Sequence, residues 1–177
     1  MSIDPTAQVH PTAIVEAGAV IGPDCRIGPY ACIGPDVVLG AGVVVKPHAV
    51  ITGWTEIGAA SVVFSFACVG EIPQDLKFAG ERSRLIIGAR CRIREGATLN
   101  TGTEGGGGIT RVGDDCLFMT GAHVGHDAQV GNRVIMANQS AVAGHCVIGD
   151  DVIIGGLSGV HQFVRIGRGA SIGAVTM

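Results

Sequence analysis

The chain has 177 residues, enough for one domain of ordinary size, but only 4% are aromatic while 29 are glycine, against a usual glycine share of about 7%. So few bulky rings exclude the wide core of an ordinary sandwich, barrel or doubly wound sheet and require a narrow interior of small side chains. A formal net charge of −3 without Lys/Arg clusters leaves no footprint for nucleic-acid phosphates, and no apolar run approaches the roughly 18 residues of a spanning helix.

The amino terminus, MSIDPTAQVHPTA, lacks the basic and apolar segments of a signal peptide, which points to a cytoplasmic protein. From there the chain reads in sixes. An aliphatic residue recurs at Ile3, Val9, Val15, Ile21 and every sixth position to Val69, and again at Ile87, Ile93 and Leu99. After a one-residue phase shift it runs from Val112 through Phe118, Val124 and Met136 to Ile172, making 26 hexads in all. Gly often follows the aliphatic residue (Gly22, Gly28, Gly34, Gly40), and the fifth residue is small (Ala19, Cys25, Ala31, Ser140). A period of six fits neither an α-helix nor a heptad coiled coil, but it fits short strands joined by sharp turns. Three hexads close one triangular coil. The aliphatic residue then fills a corner, the small fifth residue points inward, and the glycines are expected to relieve crowding at the turns. Between eight and nine coils stack into a prism roughly 40 Å long, with strands about 4.8 Å apart.

Two stretches break the repeat. Residues 71–86, EIPQDLKFAGERSRLI, concentrate charge in a chain otherwise poor in it and read as an external, substrate-facing loop. Residues 105–111, GGGGITR, read as a flexible bulge, because no GK[ST] follows and no helix is expected to cradle a phosphate. Beyond them lie four histidines. His126, His145 and His161 belong to hexads starting eighteen residues apart, one coil each, and so stack on one side of the prism with His123 at its edge. A column of imidazoles can supply a general base and hydrogen-bond donors, their reference pKa near 6.5 leaving the base neutral at cytoplasmic pH. Zinc ligation and incidental surface placement are the competing readings. Asp127 can orient His126, and Gly144 can present an unhindered N–H to an oxyanion. His10 and His48 read as ordinary surface residues. Among six cysteines, Cys25, Cys91, Cys116 and Cys146 fall at the inward fifth position and no CxxC occurs, so they read as small buried thiols of a reducing compartment.

The segments VGEIPQDLKFAGE, AHVGHD, AGH and GVHQF together resemble the UDP-N-acetylglucosamine O-acyltransferases of lipid A biosynthesis, hexapeptide-repeat enzymes, over essentially the whole chain. The resemblance implies a left-handed parallel β-helix, an exception to the right-handed crossover rule. It also implies transfer of an (R)-3-hydroxyacyl group from acyl carrier protein to the 3-hydroxyl of UDP-N-acetylglucosamine in a homotrimer, with no metal or organic cofactor because the donor arrives activated on phosphopantetheine. His126 would be the general base, Asp127 its support and Gly144 the oxyanion donor. His123, His145, His161 and Gln162 would line the sugar and donor site with Gln74, and Asp75 and Lys77 would reach the nucleotide-sugar from a neighbouring subunit. Gly173 and Ala174 would close the far end of the acyl groove, the Ala174 methyl shortening the preferred chain. Asn100-Thr101 departs from a His-Arg pair common in the family. The sequence stops at Met177 inside a hexad, where the family continues through further coils into a helical domain, so residues 1–177 read as one β-helix domain of a longer protein. Another hexapeptide acyltransferase, a trimeric zinc hydratase of the γ-carbonic anhydrase type and a structural solenoid remain alternatives. The QDLK loop argues against the first, and scattered threonines argue against an ice-binding face.

Overall fold

A computed structural model describes residues 2–176. The repeat becomes 26 short parallel strands in three sheets of nine, nine and eight strands. Each strand pairs with the one three places on: Ile3 lies against Ile21 and Ile21 against Leu39. The three sheets are the sides of a prism, a left-handed parallel β-helix. Inside it the first and fifth hexad residues interleave, from Ala19, Ile21, Cys25 and Ile27 to Val152 and Ile154, nearly all fully buried. Phe118 is the one aromatic among the fully buried side chains, as the scarcity of rings requires. All six cysteines are free. The four at fifth positions are buried, and each donates a weak S–H hydrogen bond to a carbonyl of the next coil, as Cys146 does to His161 O at 2.9 Å.

The structure reassigns the glycines of the repeat. Corners are turned by the fourth hexad residue, which takes a positive φ near 60° and is mostly not glycine: Asp24, Tyr30, His48, Asp127, His145 and Phe163 all do so. The glycine after the aliphatic residue instead admits the neighbouring coil. A Cβ on Gly22 would lie 2.7 Å from the carbonyl oxygen of Leu39. Because corner residues project outward one coil above another, they form columns. His48 is accordingly no lone surface histidine but stacks between Tyr30 and Phe66, ring centres 5.2 and 5.3 Å away.

Both interruptions are absorbed without loss of register. Ile57 pairs with Ile87 and Ile87 with Val112, so extra residues are extruded between coils that remain in register. One ladder irregularity marks the start of the loop, between Val69 and Glu71 opposite Asn100. The glycine bulge has local structure at its start. Glu104–Gly106 forms a turn of 3-10 helix capped by Thr103, whose hydroxyl accepts the Gly106 N–H at 3.2 Å.

Candidate active site

The third sheet carries strands His123–Val124, Ala141–Val142 and Gly159–Val160 side by side. The eighteen-residue spacing thus gathers the histidines along this side of the prism, with His123 in a strand and His126 and His145 in the turns that follow it. Over this face lies a cavity of about 470 Å³ lined by His123, His126, Gly144, His161 and Gln162, with Gln74 from the loop and Asn100 at its wall. Beside it is a hollow of about 360 Å³ holding Asp75 and Lys77 of the same chain's loop, with His145 and Phe163. His145 stands between the two. Its ring meets His126 edge-on at 4.9 Å and stacks on Phe163 at 4.5 Å with an interplanar angle of 1°. That column follows from the turn rule, since Asp127, His145 and Phe163 are fourth hexad residues of successive coils. Gly173 and Ala174 do not reach the cavity; they lie in the last described coil against Gly155, at the opposite edge of the third sheet.

His126 and Asp127 are both buried, 7% and 4% exposed. The carboxylate of Asp127 receives the Thr103 backbone N–H at 2.9 Å, the Thr103 hydroxyl at 2.6 Å and His126 Nδ1 at 2.9 Å. A carboxylate only accepts, so Nδ1 carries the proton, and in the neutral tautomer this selects Nε2 is the nitrogen with the lone pair. The left-handed backbone at Asp127 is held by its own N–H, which donates to Thr110 Oγ1 at 2.8 Å. Two glycines make the packing possible. A Cβ on Gly144 would sit 2.6 Å from His126 Nε2, and one on Gly106 would sit 2.1 Å from the Asp127 carboxylate. Among the described residues the Gly144 N–H donates no hydrogen bond.

His123 is half-buried, its Nδ1 2.8 Å from Thr98 Oγ1. Burial first, and the nearness of His126 second, lower its pKa below the ordinary imidazole value. Ligand atoms of His126, Asp127 and His145 lie within 4.8 Å of one another, which would suit a divalent cation. The Asp127 oxygens also accept from Thr103 and face His126 Nδ1, so a cation there would share them with those donors. Sequence reasoning missed Thr103, Thr110 and Phe163. Phe163 and Thr110 were accessible through their hexad positions, Thr110 standing at the inward fifth place before Val112; Thr103 carries no periodic signal.

Residues 18–53 match the family model described as bacterial transferase hexapeptide (six repeats). An acyl-[acyl-carrier-protein]–UDP-N-acetylglucosamine O-acyltransferase of Paracoccus denitrificans is 75% identical over 116 residues, 66% of this chain and 44% of its own. A protein of the same description from Rhizobium johnstonii is 50% identical over 129 residues, 73% of this chain and 47% of its own. Among solved structures, the UDP-N-acetylglucosamine acyltransferase from Campylobacter jejuni superposes with a TM-score of 0.91 at 44% identity, over 94% of this chain and 65% of that one. A second structure of that description reaches a TM-score of 0.93 at 44% identity, over 94% of this chain and 64% of the other. The matched stretch spans about half the length of these curated relatives. Repeat, fold and sequence agree: the chain belongs to the hexapeptide-repeat acyltransferase family, on the branch of the UDP-N-acetylglucosamine O-acyltransferases.

Proposed function

We propose that this chain carries the catalytic site of an acyltransferase that moves an (R)-3-hydroxyacyl group from acyl carrier protein to the 3-hydroxyl of UDP-N-acetylglucosamine, the first step of lipid A biosynthesis. The observation supporting it most directly is the buried series Thr103, Asp127, His126, which leads to a cavity beside the uncommitted Gly144 N–H. His126 Nε2 takes the proton of the sugar hydroxyl as its oxygen attacks the thioester carbonyl. Asp127 keeps the ring in the productive tautomer and faces the positive charge that forms on it. Gly144 N–H receives the tetrahedral oxyanion. Collapse breaks the C–S bond, and the departing phosphopantetheine thiolate recovers the proton from His126. No metal or organic cofactor enters this scheme, because the thioester is already activated.

In the same reading His123, His161, Gln162 and Gln74 hold the sugar and the donor end, while Asp75, Lys77 and His145 face the nucleotide. The Lys77 ammonium suits a diphosphate. Gly173 and Ala174 are assigned to the far end of the acyl groove, the site is completed between subunits of a homotrimer, and the reaction is cytoplasmic. Among the described residues no helix is long and apolar enough to cross a membrane.

Mass spectrometry of the product formed from UDP-N-acetylglucosamine and a set of (R)-3-hydroxyacyl carrier-protein donors tests the activity; the expected product is heavier by one hydroxyacyl group. His126→Ala is expected to slow transfer about a thousand-fold, within the range of general-base catalysis, with the thermal midpoint kept. A rate within a few-fold of the parent's would show that His126 is not the base.

A further inference from the structure

The loop leaves the prism after strand Cys68–Glu71 and returns at Arg84–Ile87. Among the described residues its polar ties to the prism lie at its two ends. At the entry, the side-chain amide of Asn100 donates to the carbonyl oxygens of Glu71 at 3.2 Å and Ile72 at 2.9 Å, and the Thr101 N–H donates to Glu71 O at 3.1 Å. At the exit, the Arg82 guanidinium lies 3.4 Å from the centre of the Trp54 ring, and Ser83 Oγ donates to Thr101 Oγ1 at 2.9 Å. Glu81 adds a long bond from the Glu104 N–H at 3.3 Å. Between these ends the loop holds its shape through internal bonds, such as Lys77 N–H to Asp75 Oδ1 at 3.0 Å, and Leu76 stands fully in solvent. Gln74 is only two residues beyond Ile72, yet it lines the His126 cavity.

Asn100 is 4% exposed and sits at the one ladder irregularity, opposite Glu71. Its Oδ1 is, among the described residues, a buried side-chain oxygen with no hydrogen-bond partner. A buried acceptor left unpaired is costly, so the amide is oriented by what its nitrogen does. Turning it over would face its oxygen toward two carbonyl oxygens and take from Ile72 O its donor, leaving Glu71 O with the Thr101 N–H alone.

We propose that Asn100 is a positioning residue for acceptor binding: its amide nitrogen pins the first two carbonyls of the loop and thereby keeps Gln74 in the His126 cavity. The kinetic consequence rests on the acyl-transfer reading, whereas the tether itself does not. Asn100→Asp keeps the shape and replaces both donors with an acceptor, and Asn100→His keeps one ring N–H. Trp54, the only tryptophan, reports the far end of the loop through its contact with Arg82. In Asn100→Asp, tryptic cleavage after Lys77 should accelerate about ten-fold, the size expected for one net hydrogen bond, because cleavage samples the opened population. Acrylamide quenching of Trp54 should rise with it. KM for UDP-N-acetylglucosamine should rise about ten-fold, with kcat and the KM for the acyl donor changed less than about two-fold. Asn100→His should fall between the two, and it carries the test if circular dichroism shows the Asp variant unfolded. Cleavage and quenching equal to the parent's would overturn the proposal. So would a higher KM in a loop that stays protected, because Asn100 would then be a direct contact. A parent protein without acyl transfer would defeat the functional reading alone, and cleavage and quenching would still decide the tether.

Discussion

Thr103 gives Asp127 both its backbone N–H and its hydroxyl, and Asp127 in turn holds the Nδ1 proton of His126. One threonine just before the second interruption therefore sets the tautomer of an imidazole more than twenty residues away. The adjacency of Asp127 to His126 was plain in the sequence; their common support was not, because nothing periodic marks Thr103. His123 shows a different residue-scale effect. Its folded pKa lies below the ordinary 6.5 because burial disfavours the charged ring. The unfolded chain therefore binds more protons as the pH falls through that value, and His123 costs stability on the acid side while costing none above it. The thermal midpoint should drop between about pH 7.5 and 5, and His123→Asn, neutral throughout, should flatten that slope measurably in melts followed by circular dichroism.

At the scale of elements, the glycine run shows what composition leaves unsaid. Four consecutive glycines read as a flexible bulge, but Glu104–Gly106 is a capped turn that presses backbone onto the Asp127 carboxylate. Only two of the four need their φ: Gly107 and Gly108 are left-handed at 96° and 77°. Gly106 is bare for lack of space, whereas a Cβ on Gly105 would meet nothing within 4 Å. Gly106→Ala should therefore displace Asp127 and lower kcat at least about ten-fold, in keeping with a misaligned catalytic group. Gly105→Ala should leave the thermal midpoint within about a degree or two of the parent's. Equal behaviour of the two variants would remove the turn's claim to support the site. The loop follows the same logic. Its charge announced an excursion, but only the fold shows that Asn100 and Trp54 anchor its ends and that its own chain's Gln74 reaches the histidines.

Across the whole molecule, stability comes from a thin column of aliphatic side chains repeated coil after coil. Each buried Ile or Leu contributes roughly 1.5–3 kcal/mol. Phe118, packed in the coil between Ile93 and Met136, is the largest of them. Phe118→Ala should destabilise by about 3–5 kcal/mol, read as a lower urea midpoint, because a narrow prism has little slack with which to collapse on the cavity. The loss should extend to neighbouring coils, since each coil is stabilised chiefly by the two beside it.

The sequence alone determined the period of six, the phase across both interruptions and hence the face shared by His123, His126, His145 and His161. A repeat that must fill a closed interior leaves little freedom in which residues point inward and which stack. The corner conformation, the reason for the glycines and the partners of Asp127 were decided only by tertiary structure. Each depends on contacts between residues tens of positions apart, such as Thr103 with Asp127 or Asn100 with Ile72, and such contacts have no period to read.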